Sequence, residues 1–202
     1  MTSLVLSLFP GVGLLDMAFT EHGFCVVQAQ DKITGGDIRN FTGLPRRFDG
    51  IIAGPPCQGF SVMNSYRTDD THPSVINSRE MLQHTCRIIA ECRPAWFLIE
   101  NVPCVPDVRV AGYAVQRIAI TDAECGGRQL RCRHVQFGSA KNHVIRPVRV
   151  NDCTRNRRKG RRMESVTTKT DNNVDFPDLC AKQGLPAPIQ LKGWSKKARF
   201  QA

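Results

Sequence analysis

The residues best suited to do chemistry stand in three short segments. The first is Gly54-Pro55-Pro56-Cys57-Gln58-Gly59-Phe60-Ser61, which follows a buried apolar run over about 48–53. Two prolines and two glycines make it a stiff loop, so Cys57 is held where a nucleophile belongs. The second is Glu100-Asn101-Val102, whose acid closes the apolar run Ala95–Ile99. An acid at such a strand end is either solvated or, opposite a cysteine, a proton donor. The third is Gln129-x-Arg131-x-Arg133. On a strand this alternation puts all three side chains on one face, and two arginines with an amide line either solvent or a polar site. The chain has nine cysteines, so residue type alone singles out none; the loop around Cys57 does. The odd count and the lack of any Cys-x-x-Cys pair argue against a disulfide framework and against structural zinc. Most of the other cysteines are expected to pack as small core hydrophobes.

A glycine turn, Phe9-Pro10-Gly11-Val12-Gly13, lets the backbone approach a ligand closely. Asp31 is placed to accept hydrogen bonds from ribose hydroxyls. Asp37 and Ile38, in Gly36-Asp37-Ile38, suit the edge and face of an adenine ring. Each of these is a weak signal alone.

The elements that must position these residues alternate. The pattern predicts a strand over about 3–9, a helix over 14–22 stopped by Gly23, and a strand over 24–30 ending at Asp31. A strand over 48–53 follows. Next comes a helix capped by Asn77, with Glu80 three residues on and Met81, Leu82, Ile88 and Ile89 as its apolar face. A strand over 95–100 precedes two more, over 114–121 and 129–138, joined by a turn containing Gly126-Gly127. Strand, glycine turn, helix, strand, acid is the order of a nucleotide-binding α/β unit. Its mostly parallel sheet carries function in the loops at the strands' carboxyl ends. No internal repeat is present.

Composition agrees with a globular protein: 41% hydrophobic and 23% charged residues in 202. No apolar run approaches the roughly 18–20 residues of a membrane span, Asp16 interrupts the apolar N-terminus, and no basic region precedes it. A soluble, cytoplasmic location is the expectation. The formal net charge is +10, and it is lopsided. Much of the excess lies in the run Arg155-Asn156-Arg157-Arg158-Lys159-Gly160-Arg161-Arg162, which is either a solvated loop or a phosphate-binding surface.

Taken together and in this order, the segments resemble the cytosine-C5 DNA methyltransferase family, from Leu4 to about Ala202. Leu179-Cys180-Ala181-Lys182-Gln183-Gly184-Leu185-Pro186 also resembles a family segment. The resemblance implies a Rossmann-like, S-adenosylmethionine-dependent methyltransferase fold, with a mostly parallel sheet, an antiparallel hairpin and a small basic target-recognition region. Residues 1–150 would form the catalytic domain. Residues 151–202 would form the short recognition region and a family-like C-terminal segment.

The implied reaction is methylation of C5 of a cytosine flipped out of double-stranded DNA, through a covalent adduct with Cys57. Glu100 would act at N3, Arg133 near O2, Arg131 on Glu100 and the target's backbone, and Gln129 as a brace. Phe9, Gly11 and Gly13 would border the methionine and ribose of S-adenosylmethionine, Asp31 would hold the ribose, Asp37 and Ile38 the adenine, and Pro56 would line the pocket. Gln58, Ser61, Arg155, Arg157, Arg158, Lys159, Arg161 and Arg162 would contact DNA. No metal is implied, and a separate restriction endonuclease is a candidate partner. The stretch from Asp31 to Asp37 is short for the family, 151–178 is small for a recognition region, and a Gly-Asn-x-Val segment does not follow Trp194. The expectation is therefore a C-terminally truncated bacterial or phage member. The alternatives are an inactive remnant that binds DNA, and the same chemistry on transfer RNA.

Overall fold

Short apolar runs become buried strands because every residue in them has a face to hide. A computed structural model describes residues 2–29, 31–32, 35–127 and 129–148. In it β1 (Leu4–Leu8) and β3 (Gly50–Ala53) are buried almost throughout. The strand β2 (Cys25–Gln28) is largely exposed, as an edge strand would be. In β4 (Trp96–Asn101) buried and part-buried residues alternate. With β5 (Ala114–Thr121) and β6 (Cys132–Ser139), these strands form among the described residues one sheet in the order β2-β1-β3-β4-β6-β5. The pairs β1–β2, β1–β3 and β3–β4 are parallel, and β4–β6 is antiparallel. This is the Rossmann-like α/β arrangement.

Two helices connect the parallel strands. Helix α1 (Leu14–Glu21) starts at Gly13, whose φ of 79° is the left-handed conformation that glycine takes without strain. Helix α2 (Pro73–Cys92) lays Met81, Leu82, Ile88 and Ile89 against Leu6, Leu8, Ile51, Phe97 and Ile99 of the sheet. The apolar face is the expected one, but the start is not. Pro73 opens the helix and the His72 ring nitrogen accepts the Ser74 N–H (3.3 Å). Asn77 therefore lies inside the helix. A proline at the first helical position has no N–H to leave unsatisfied, so it starts a helix earlier than the Asn77–Glu80 spacing suggests.

A second correction concerns the cysteines. Among the described residues Cys92 is buried, Cys57, Cys86 and Cys132 are part-exposed, and Cys25, Cys104 and Cys125 are exposed. Burial pushes the Cys86 and Cys92 thiols up from their ordinary value, which keeps them protonated.

The chain divides into two compact units, residues 1–119 with 133–146, and residues 120–132 with 147–202. The recognition region, the basic run at 155–162 and the segment at 179–186 lie outside the described residues. Among the described residues no helix is long and apolar enough to cross a membrane, and no group of three His, Cys, Asp or Glu is placed to hold a metal ion.

Candidate functional site

Parallel register decides what meets at the sheet's carboxyl edge. Leu8 pairs with Ala53, and Ala53 with Ile99. Phe9 and Gly54 thus stand just past β1 and β3, level with Glu100, the penultimate residue of β4. From the other direction Glu100 pairs with Val135 and Asn101 with His134, so β6 brings Arg133 to the same edge. The glycine turn, the Cys57 loop, Glu100 and Arg133 are brought together by topology.

Neutral, buried hydrogen bonds fix the Cys57 loop. Asn101, 2% exposed, donates from Nδ2 to the Pro55 carbonyl (3.0 Å), and its Oδ1 accepts the Val102 N–H (2.8 Å). The residue after the acid therefore ties the end of β4 to the loop that carries the cysteine. The Cys57 carbonyl accepts the N–H groups of Phe60 and Ser61 (3.0 Å each), which turns the chain sharply beyond the thiol. Gly59 donates its N–H to Ser78 Oγ (2.9 Å) on the buried face of α2. A Cβ at Gly59 would stand 2.7 Å from the Ser74 carbonyl oxygen and the Val75 Cα, so the loop can approach the helix this closely only with glycine there. Asn64 Nδ2 donates to the Gln58 carbonyl (2.9 Å) and to Ser74 Oγ (3.0 Å). Pro56 and Cys57 are part-exposed, Gln58 is exposed, and Ser61 Oγ accepts the Met63 N–H (3.2 Å).

Glu100 receives a charge-assisted bond from Arg133, Nε to Oε1 at 2.8 Å. The side chains are 38% and 26% exposed respectively, so the pair is open to solvent on one side. The resemblance gives the orienting task to Arg131; in the structure the guanidinium on Glu100 is that of Arg133. Nor do Gln129, Arg131 and Arg133 share a strand face. Strand β6 begins at Cys132, and the backbone before it is taken by a 3-10 turn, Asp122–Cys125. The Asp122 carboxylate accepts the Gln129 N–H (2.8 Å). The Gln129 and Arg131 carbonyls accept the N–H groups of Ala123 (2.9 Å) and Asp122 (3.1 Å). Gln129 is 3% exposed, a buried amide beside that turn.

The residues expected to hold a nucleoside lie along the neighbouring strand exits. Phe9 has φ 57° and Gly11 φ 56°. The left-handed conformation costs a residue with a Cβ roughly 1–2 kcal/mol, so Phe9 marks a turn held against strain. Among the described residues, and apart from the chain neighbours, no atom lies within 4 Å of where a Cβ would stand on Gly11 or Gly54. The backbone is thus uncovered at each of these two glycines, as close approach of a ligand requires. Beyond β2, Asp31 is part-exposed and its carbonyl accepts the Gly36 N–H (2.8 Å). Asp37 caps a 3-10 turn, Ile38–Asn40; its Oδ1 accepts the Arg39 N–H and its Oδ2 the Arg39 Nη1, both at 2.9 Å. The Arg39 amide, then its guanidinium, hold the Asp37 carboxyl below its ordinary value. Ile38, 4% exposed, is part of the core. An ionised acceptor, a strained turn and two open glycines fit an adenine nucleoside.

Some supporting residues carry no motif. Arg117 on β5 donates Nε to His134 Nδ1 (2.8 Å) and Nη2 to the carbonyls of Pro103 (2.8 Å) and Val105 (3.0 Å), and pairs with Asp107. Gln136, buried, accepts the Val108 N–H (2.7 Å) and donates to the Pro106 carbonyl (2.8 Å). Together they pin the segment that follows Glu100-Asn101. Burial, then the Arg117 charge, push the His134 imidazole below its ordinary value, with Asp107 opposing. A lone arginine on a strand gave no sign of this role. Asn101 did give one, an amide directly after the acid that closes the apolar run.

Residues 4–183 match the family model described as C-5 cytosine-specific DNA methylase. Type II methyltransferase M.AgeI of Thalassovita gelatinovora is 28% identical over 180 residues, covering 70% of this chain and 41% of its own. Type II methyltransferase M.NgoPII of Neisseria gonorrhoeae is 31% identical over 140 residues, covering 60% of this chain and 39% of its own. The chain thus spans about two fifths of the length of these relatives. Among solved structures, the Entamoeba histolytica methyltransferase EhMeth superposes with a TM-score of 0.52 at 16% identity, over 72% of this chain and 56% of that one, a likeness of fold.

Proposed function

The chain belongs to the C-5 cytosine-specific DNA methylase family, and from that premise we propose that it methylates C5 of cytosine in double-stranded DNA with S-adenosylmethionine as donor. One observation supports this reading above the rest. The Cys57 loop and Glu100 leave adjacent parallel strands, and Asn101 joins them through its 3.0 Å bond to the Pro55 carbonyl. A nucleophile and an acid are thereby held to one rigid edge, which is what attack on a single ring requires.

The residues divide the work by their chemistry. The Cys57 thiolate adds to C6 of the flipped-out cytosine, forming a carbon–sulfur bond and moving electron density to C5 and the N3–O2 side of the ring. Glu100 hydrogen-bonds N3 where that charge develops, and Arg133 keeps the carboxyl oriented from its 2.8 Å bond. S-adenosylmethionine, when bound, supplies a methyl group made electrophilic by its sulfonium. Loss of the C5 proton then expels the Cys57 sulfur and restores the ring. Phe9, Gly11 and Gly13 would hold the methionine and ribose, Asp31 the ribose hydroxyls, Asp37 with Ile38 the adenine, and Pro56 the pocket wall. Gln58 and Ser61, beside the thiol, together with the basic run at 155–162, would meet the DNA. Residues 151–202 are proposed to carry target recognition. The family match favours DNA over transfer RNA as substrate. A restriction endonuclease acting at the same site is the partner such a modification activity implies.

The test is transfer of label from S-adenosylmethionine to duplex DNA by the full chain. Cys57→Ser should lower incorporation by a factor on the order of 1,000 or more. Equal incorporation by the two proteins would remove the proposed nucleophile.

A further inference from the structure

The proposed nucleoside site has a support that its own motif does not contain. Arg39 uses one edge of its guanidinium, and its amide, on Asp37. The other edge meets Glu80 on α2 in a forked pair, Nε to Oε1 at 2.7 Å and Nη2 to Oε2 at 2.8 Å. Arg87, two helical turns further on, donates to the carbonyls of Ile38 (3.1 Å) and Phe41 (3.0 Å). The segment bearing Asp37 is therefore strapped to a 20-residue helix whose opposite face is core.

Charge and lone pairs give this arrangement a consequence. Two carboxylates share one guanidinium, so Arg39 does not neutralise Asp37 by itself; Lys32 adds its charge to the pull on Asp37, and His84, 3.8 Å from Glu80, adds to the pull on Glu80. Each Asp37 oxygen accepts one bond from Arg39, and a carboxylate oxygen has room for a second. Glu80 occupies the fork of Arg39 and prevents it from closing on Asp37 with both nitrogens.

Resting on the reading that Asp37 faces the adenine ring, we propose that Arg39 and Glu80 are positioning residues that keep Asp37 a directed acceptor for the exocyclic amine, and so select adenine over hypoxanthine. Hypoxanthine carries a carbonyl oxygen where adenine carries the amine, and a fixed carboxylate repels it. Removing Glu80 lets Arg39 fold onto Asp37, neutralise it and cover its free lone pairs. The amine then loses its acceptor, and the carbonyl loses its repulsion.

The experiment is calorimetric binding of S-adenosylhomocysteine and S-inosylhomocysteine to the full chain. Wild type should prefer the adenosyl ligand by tenfold or more. Asp37→Asn should erase most of that preference. Glu80→Gln should cut it to a third or less, mainly by weakening the adenosyl ligand, while Glu80→Asp, which keeps the charge, should retain at least half. Arg79→Gln on the same helix, which breaks an exposed pair with Asp70 in the turn before it, should leave it unchanged. If Asp37→Asn erases the preference while Glu80→Gln preserves it, or weakens both ligands equally, the positioning role is overturned and the adenine reading stands. If Asp37→Asn leaves the preference intact, the adenine reading fails, and this proposal with it.

Discussion

Two segments leave the same sheet edge and are held there by opposite means. The Cys57 loop is fixed by neutral, buried bonds, Asn101 to the Pro55 carbonyl and Gly59 to Ser78. The Asp37 segment is fixed by charged side chains about a third exposed, Arg39 paired with Asp37 and Glu80, and Arg87 donating to the Ile38 and Phe41 carbonyls. Buried neutral bonds add little when made but cost heavily when one partner is lost, and salt does not touch them. Half-exposed pairs are screened and individually weak. The segment proposed to carry the nucleophile is thus held in a way that ionic strength does not change. The one proposed to read the nucleoside can be tuned by charge.

That contrast can be broken by substitution. Asn101→Ala strips the Pro55 carbonyl and the Val102 N–H of their partners, and should destabilise the protein by about 1–3 kcal/mol equally at low and high salt in urea unfolding. A cost that fell with added salt would put the brace in the wrong class. Ser78→Ala leaves the Gly59 N–H unmet inside the loop–helix contact; about 1 kcal/mol is expected by the same measurement. Glu80→Gln should change the unfolding free energy by less than either of these, and that difference should shrink at 1 M salt.

The smallest effect is on pH. Asp37 and Glu80 are both held below their ordinary values of 3.8 and 4.5, chiefly by the Arg39 amide and the Arg39 guanidinium respectively. Carboxyls depressed in this way contribute stability that is fully present above the ordinary values and is lost as pH falls through the lower folded ones. Stability at pH 5 should therefore match that at pH 7 as far as this strap is concerned, with Glu80→Gln losing less than wild type below pH 4. Identical acid profiles for the two proteins would mean the strap carries no linked protons.

The sequence already contains most of this edge. The runs Leu4–Leu8 and Ile51–Ala53, apolar except at Ser7, whose hydroxyl bonds Asp16, read as buried strands, and the Pro-Pro-Cys-Gln loop announces its stiffness. Local chemistry misled where two signals competed. Asn77 with Glu80 is a plausible cap pair, yet Pro73 starts the helix first, which frees Glu80 for Arg39. The alternating Gln129, Arg131 and Arg133 read as one strand face until Asp122, seven residues before Gln129, claims the backbone there. Long-range bonds such as Arg117 to the carbonyls of Pro103 and Val105 leave no local trace, since nothing in the spacing of an arginine says which carbonyls it will meet.

The central claim is that Cys57 forms a bond to the cytosine ring, and a duplex carrying 5-fluorocytosine at the target base tests it most directly. Fluorine at C5 cannot leave as a proton does, so the adduct persists once the methyl group has been added. The account predicts a complex that survives denaturation, needs S-adenosylmethionine, maps by mass spectrometry to the peptide containing Cys57, and is missing from Cys57→Ser. A stable complex formed equally by Cys57→Ser, or mapped to another cysteine, would contradict it.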